Sequence, residues 1–474
     1  MSLIYPTPYW VYESVVYEIF PDRFAIGKGK GIKGKVALYK DGIIKEWNEI
    51  PVSTGDGKQN KVFYGGDLWG IAERLDYLKA LGVNTIYLTP IFRSPSNHKY
   101  DVTDYFKVDP QFGGVSALKN LIKVLKKNNM KLILDGVFNH VGSNHPWFLK
   151  AKRGSKDYVS RFSMYEDGHR GWWGIRSLPE LYLEENAVIN HISEVLKYYL
   201  ELGIDGFRLD CGQDLGPVNN ARISSIVKSF SLEKYVVGEL WTYPDRWDMV
   251  DGIMNYNLRE ITLSYLKNEL SNPGSVLEEV FKKTKNIYGC WNMLDSHDTE
   301  RIANTLPDKQ LRKLAIVIQF TFPGVPVIFY GTEIGLTGGK DPECRRTMVW
   351  NEKSWDTELF EFYRKMINLR KTETALKVGN FETLMDNPLV FIRKSLNTLD
   401  SIVVAINPGK TKNIAVVIKD GRLLDRTSFV DLFTGEKFKL TSGVLKLQIL
   451  ERSFRILKPF NEVVRGYDQY KRIF

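Results

Sequence analysis

Short apolar runs rich in β-branched and aromatic residues alternate with longer stretches in which apolar residues return every three or four positions. Eight runs stand out: 15–20 (VVYEIF), 83–90 (VNTIYLTP), 131–138 (KLILDGVF), 204–210 (IDGFRLD), 235–241 (YVVGELW), 252–258 (GIMNYNL), 290–298 (CWNMLDSHD) and 325–333 (VPVIFYGTE). Each predicts a buried strand. Between them Leu118, Leu121, Ile122 and Leu125 fall at i, i+3, i+4 and i+7, as do Ile192, Val195, Leu196 and Tyr199. Each set predicts a helix that lays one face on a sheet. Strand and helix in alternation imply a parallel sheet, and eight such units suit a closed (β/α)8 barrel; spacing alone leaves an open doubly wound sheet as the alternative.

The rhythm breaks twice. Residues 141–189 are rich in Gly, Trp, Ser and charged groups and predict a subdomain inserted after the third strand, where a barrel shapes its active face. After the helical stretch 358–373 the texture changes to short alternating runs, which predict an all-β C-terminal sandwich over 378–474. The barrel is then expected over 1–140 and 190–377.

Composition narrows the class. Hydrophobic residues at 43% and charged residues at 26% are those of a globular protein, and no apolar run is long enough to span a membrane. The N-terminus lacks the basic start, apolar core and small-residue cleavage site of a secretory leader, so a cytoplasmic address is expected. Three cysteines, Cys211, Cys290 and Cys344, form no CxxC pair and suit a reducing compartment, with Cys211 read as a small buried space-filler. Abundant Lys and Glu beside few Cys and Gln point to a thermophilic source. The net charge of +10 raises the question of an acidic partner, but the basic residues are scattered. The cluster KGKGIKGK at 28–35 has no nucleic-acid-binding signature around it and reads as a solvated loop. Neither nucleic acid nor membrane is an expected partner, and the oligomeric state is left open.

Three of the eight runs carry an acid at or near their ends: Asp210, Glu239 and Asp298. A barrel keeps its catalysts at the C-terminal ends of its strands, and carboxylates inside apolar runs are costly unless used. Arg208 lies two positions from Asp210, on the same strand face, where its guanidinium is expected to hold that carboxylate ionised as a nucleophile. Leu240 and Trp241 follow Glu239, and desolvation there is expected to keep it protonated as a general acid. Two carboxyls in these roles make the glycosidase arrangement, about 5–5.5 Å apart when configuration is retained. Asp298, with His297 beside it, is placed to bind sugar hydroxyls and stabilise an oxocarbenium-like transition state. Acid clusters also hold metals, but no HExxH, EF-hand loop or Cys/His spacing is present.

Taken together, DGVFNH (135–140), GFRLD (206–210), VGELW (237–241) and LDSHD (294–298) resemble the four signature segments of glycoside hydrolase family 13, the α-amylase family, in order and over nearly the whole chain. The resemblance implies Asp210 as nucleophile, Glu239 as general acid/base and Asp298 as transition-state stabiliser, with Tyr100, His140, Arg208 and His297 around the sugar at the cleavage point. It leaves Asp135 and Asn139 to hold loop geometry. Segments 96–113, 294–301 and 335–350 are similar to the cyclomaltodextrinase, neopullulanase and maltogenic amylase branch, in which Asp341 and Arg345 would contact a sugar beyond that point.

The chain departs from that branch in four places. Its first strand is expected near residue 15, where the branch carries a β-domain ahead of the barrel. LPELYLEEN (178–186) matches neither form of the fifth signature segment, Thr242 follows GELW where the branch has His, and CGQD follows GFRLD. The resemblance therefore implies hydrolysis of α-1,4 and some α-1,6 bonds in maltodextrins, cyclodextrins or related α-glucans, without a preference among them. A 4-α-glucanotransferase would use the same three acids, and a non-catalytic carbohydrate-binding protein on this fold is a remoter alternative. The Lys-His pair and the Asn/Asp loop of calcium-binding relatives are missing, so no metal or other cofactor is expected to be required.

Overall fold

Eight parallel strands form one sheet in this computed structural model, which describes residues 5–28, 31, 34, 35, 39–166 and 168–472. They are β1 (Val16–Ile19), β2 (Thr85–Leu88), β3 (Lys131–Gly136), β4 (Gly206–Leu209), β5 (Tyr235–Gly238), β6 (Gly252–Ile253), β7 (Trp291–Met293) and β8 (Val325–Phe329). Their order is β6-β5-β4-β3-β2-β1-β8-β7, and a parallel bridge between Met254 and Trp291 joins the two ends, closing the (β/α)8 barrel. All eight expected runs therefore become strands of one closed sheet. Each is buried on both faces, which is why it reads as an unbroken apolar run.

Strand alternation sorts the residues. Val16, Tyr87, Ile133, Tyr235, Val237, Met254, Trp291, Met293, Val325 and Val327 pack together inside the barrel. Glu18 and Asp135 sit two positions after Val16 and Ile133, on the same inward face one layer higher, and Arg208 is in register with Asp135. The barrel interior thus changes from apolar to charged toward its C-terminal mouth.

The helices wrap this sheet as the spacing predicts. Helix α1 (Gly114–Lys127) buries Leu118, Leu121, Ile122 and Leu125, and α2 (Asn186–Leu202) buries Ile192, Val195, Leu196 and Tyr199. Gly203, at φ 106°, ends α2 in the left-handed conformation that favours glycine. Helices α3 (Gly212–Phe230), α4 (Tyr256–Leu266), α5 (Lys309–Thr321) and α6 (Thr357–Thr372) follow β4, β6, β7 and β8. Two expectations change. The run 252–258 is a strand only over Gly252–Ile253, because the Asn255 side chain accepts from the Leu258 N–H at 3.0 Å and starts α4. No helix intervenes between β5 and β6.

Residues between β3 and α2 form a short helix (Pro146–Lys152), a small hairpin and a hydrogen-bonded loop that is bridged to the barrel mouth at His140–Glu180. The C-terminal strands are β9 (Asn380–Met385), β10 (Leu389–Lys394), β11 (Ile402–Asn407), β12 (Lys412–Val417), β13 (Ser428–Asp431), β14 (Lys437–Thr441), β15 (Val444–Ile449) and β16 (Ser453–Phe460). They pair antiparallel in the order β9-β10-β11-β16-β13-β14-β15-β12. Val390, Ile392 and Val403 meet Leu445, Leu447 and Ile449 inside the sandwich, while Leu389, Phe391 and Val404 face the barrel. Arg393 of β10 fastens the two parts, donating to Thr321 O at 2.6 Å and to Gly379 O at 2.9 Å.

Of the basic cluster 28–35, Gly29, Lys30, Ile32 and Lys33 lie outside the described residues. Lys35 is not solvated as expected, but pairs with the buried Asp67. Among the described residues no helix is long and apolar enough to cross a membrane.

Candidate active site

Arg208 is the hub of the barrel mouth. From β4 its buried Nη1 donates to both oxygens of Asp135, at 2.8 and 2.9 Å, and to Asp210 Oδ1 at 2.8 Å. Its Nη2 lies 2.8 Å from Glu239 Oε2, an ion-pair distance whose angles fall outside hydrogen-bond geometry. One planar guanidinium touching both carboxyls caps the distance between the bonded oxygens of Asp210 and Glu239 at about 8 Å. That lies inside the span over which glycosidase carboxyl pairs operate.

Asp210 and Glu239 each follow directly on a strand end. Cys211, just after Asp210, takes a left-handed conformation, φ 49° and ψ 40°, that a non-glycine residue adopts only when its surroundings enforce it. This turn aims its N–H at Glu239 Oε2, 2.8 Å away, and its Sγ donates to Asp210 Oδ2 at 3.2 Å. Cys211 is thus buried as expected, but it bonds both acids rather than merely filling space. Glu239 Oε1 accepts from Trp241 Nε1 at 2.8 Å, and the Trp241 ring stacks on Tyr256 with centroids 3.6 Å apart.

Burial pushes the Asp210 carboxyl up, to about 8, against the pull of Arg208; Glu239 and Asp135 add to the rise. Arg208 therefore does not by itself hold Asp210 ionised, as the sequence suggested. Its single charge is divided among three carboxyls, those of Asp135, Asp210 and Glu239.

Asp298 lies five residues beyond the end of β7, in a turn where Ser296 Oγ accepts from its N–H at 3.2 Å. His297 Nε2 approaches Asp298 Oδ2 at 3.0 Å and Tyr100 Oη at 2.6 Å, and Arg345 Nη2 meets Asp298 Oδ1 at 3.0 Å. Burial alone would raise Asp298, yet His297 and Arg345 outweigh it and hold the carboxyl well below the usual carboxylate range. His297 Nδ1 lies 2.5 Å from Glu18 Oε1. Burial pulls this imidazole down, but Asp298 and Glu18 reverse the effect and raise it to about 10, so it is a cation whose two N–H groups both donate.

The remaining expected residues converge on the same mouth. Tyr100 stacks against His297 and donates to Asp135 Oδ2 at 3.0 Å. His140 is buried, stacks on Trp172, and has no hydrogen-bond partner at Nε2 among the described residues; burial pushes it down to about 4, so it is neutral. Arg345 is buried and reaches Asp298, while Asp341 pairs with Arg345 at 3.0 Å from the exposed rim. Asp135 does more than shape a loop, since it anchors Arg208, Tyr87 and Tyr100 together. Sequence reasoning missed Glu18, Trp172 and Tyr256. Glu18 had a signal, a lone charge inside the run VVYEIF.

Among the described residues, His140, Asp210 and Cys211 bring potential metal-ligand atoms within 4.8 Å of one another. Their chemistry suits a thiophilic cation, and the guanidinium of Arg208 beside Asp210 opposes one.

Two carboxyls sharing a buried cation at the C-terminal mouth of a (β/α)8 barrel, with a third held ionised by His297 and Arg345, define a glycosidase. The chain belongs to the α-amylase family: residues 18–356 match the alpha amylase catalytic domain. It is 32% identical over 477 residues to neopullulanase 2 of Thermoactinomyces vulgaris, covering 94% of this chain and 78% of that protein. It is 35% identical over 440 residues to a cyclomaltodextrinase of Thermoanaerobacter pseudethanolicus, covering 87% and 73%. Among solved structures, the cyclic α-maltosyl-(1→6)-maltose hydrolase from Arthrobacter globiformis, in complex with that sugar, superposes with a TM-score of 0.81 at 28% identity. The match covers 95% of this chain and 99% of that one.

Proposed function

We propose that this chain is a retaining α-glycoside hydrolase that cleaves α-1,4 bonds in maltodextrins, cyclodextrins or related α-glucan oligosaccharides, with α-1,6 bonds as a second target. The single observation that carries this reading is the contact of one Arg208 guanidinium with both Asp210 and Glu239. Catalysis uses the form in which Asp210 is ionised and Glu239 carries the proton. Asp210 then attacks the anomeric carbon while Glu239 protonates the departing oxygen, leaving a glycosyl-enzyme ester. Glu239, now a base, takes a proton from the water that cleaves the ester. Asp298, held ionised by His297 and Arg345, stabilises positive charge on the sugar ring. The Nε2 of His140, without a hydrogen-bond partner among the described residues, and the Oη of Tyr100 suit sugar hydroxyls at the cleavage point.

Product analysis across maltotriose, β-cyclodextrin, pullulan and starch, with Asp210→Asn as control, tests the reading. Wild-type hydrolysis of maltotriose by Asp210→Asn overturns the assignment of the nucleophile. A 4-α-glucanotransferase passes the same ester to a sugar hydroxyl, and longer oligosaccharides dominating from dilute maltotriose would identify it. The partition into barrel (1–140 and 190–377), inserted subdomain (141–189) and C-terminal sandwich (378–474) is part of this proposal. So is a reducing, cytoplasmic compartment, which the free buried thiols Cys211, Cys290 and Cys344 suit.

A further inference from the structure

We infer that the segment inserted after β3 carries a second carbohydrate-binding groove, with the indole of Trp173 as its platform, which holds an α-glucan chain beyond the ring being cleaved. This rests on the α-glucan reading above. Two adjacent tryptophans stand in the insertion, and only one serves the cleavage centre. Trp172 stacks on His140, with centroids 5.4 Å apart, and donates from Nε1 to Asp214 Oδ2 at 3.0 Å. Trp173 turns the other way and is 80% exposed, touching Trp172 edge-on.

That exposure is built rather than accidental. Trp173 sits at φ 51° and ψ 30°, a left-handed conformation unusual for a bulky aromatic residue. The loop around it is fastened: Trp172 N donates to Leu178 O, Gly174 N to Gly171 O and Ile175 N to Trp172 O, each at 2.9 Å. Strain kept at a ring that faces water signals a use for that ring.

Beside it opens a groove of about 700 Å³ whose walls include Tyr165, His169, Trp173, Arg176, Glu180 and Asp214. The volume is that of a ligand cleft. Tyr165 is also exposed, so two aromatic faces alternate with planar charged groups. This is the chemistry a pyranose needs: a ring for its C–H face, and carboxylate or guanidinium edges for its hydroxyls. The groove's wall adjoins the cleavage centre: Asp214 bonds Trp172, which stacks on His140, and Glu180 is bridged to His140.

The test compares maltoheptaose with maltotriose in wild type, Trp173→Ala and Trp173→Tyr, with calorimetric binding of maltoheptaose to the same three forms in an Asp210→Asn background. Trp173→Ala is expected to lower the ratio of kcat/KM for maltoheptaose over maltotriose about tenfold, through KM, the worth of one aromatic stacking contact. Trp173→Tyr is expected to restore most of it. An unchanged ratio, with equal binding of maltoheptaose to the Trp173→Ala form, overturns the groove. Binding that depends on Trp173 in a protein that cleaves neither sugar would uphold the groove and refute the hydrolase reading. Absence of any maltoheptaose binding sinks the groove.

Discussion

Glu18 Oε1 lies 2.5 Å from Nδ1 of His297, although 279 positions separate the two residues. Both are buried, and the contact ties the first barrel strand to the turn that presents Asp298. Because the folded imidazole is raised to about 10 from an ordinary value near 6.5, its ionic contribution to stability is complete below pH 6.5 and is lost as pH rises through about 10. Glu18→Gln should therefore cost about 3 kcal/mol at neutral pH, with the deficit narrowing toward pH 10. Denaturant titration across that range checks it, and a deficit that stays constant would show the carboxylate is not holding an imidazolium.

Activity should rise as pH climbs toward about 8, where the buried Asp210 nucleophile becomes ionised. In Glu239→Gln, assayed on a substrate whose leaving group requires no protonation, this acidic limb should move to lower pH, because the neighbouring charge that helps raise Asp210 is gone. A limb that stays unmoved in the variant would mean Glu239 does not act on the nucleophile.

Trp241 both stacks on Tyr256 and donates to Glu239. Trp241→Phe keeps a ring for the stack and removes the donor that orients the Glu239 carboxyl, so kcat/KM should drop about tenfold, the worth of one hydrogen bond. Thermal stability should stay within a few degrees of wild type. Equal loss from Trp241→Phe and Trp241→Ala would place the effect in packing instead.

Arg345 and Asp341 should separate sharply. Arg345→Ala leaves Asp298 with one fewer cation in a buried setting and should lower kcat at least a hundredfold, about 3 kcal/mol. The Asp341 side chain is 47% exposed, and Asp341→Asn should cost under about 1 kcal/mol in stability. Steady-state kinetics and melting curves on the two variants decide it.

Chelation should change nothing. Near the segment after β1 the buried carboxylates are already matched by cations of the chain itself: Asp22 by Arg23, Asp67 by Lys35 and Asp109 by Lys99. Dialysis against EDTA should leave kcat and Tm at their starting values, and a Tm lower by several degrees would reveal a structural metal.

The barrel strands were legible because burial on both faces leaves an unbroken apolar run, a signal that survives without any partner in view. The reading 252–258 ran past its strand because Tyr256 and Leu258 are buried on a helix, and short apolar runs do not distinguish the two; the reading 290–298 ran past Trp291–Met293 into the turn that presents Asp298. The acids stood out because each occupies a costly position inside or beside such a run. Protonation was not legible: Asp210 and Arg208 are neighbours in sequence, but Asp135 and Glu239 reach the same guanidinium only through the register of β3, β4 and β5. Trp172 lies in a segment without periodicity, where no pattern says which of two adjacent rings turns inward.

Arg393 fastens β10 to the barrel. Its fully buried guanidinium is spent on the main-chain oxygens of Thr321 and Gly379. Cutting the chain after α6 would strip the end of α5 of this donor and bare the apolar flank that Leu389, Phe391 and Val404 now cover. A shortened catalytic fragment is thus a poor goal for engineering, and appendages are better grafted onto the outer edge strand β12, far along the chain order of the sheet from that seam.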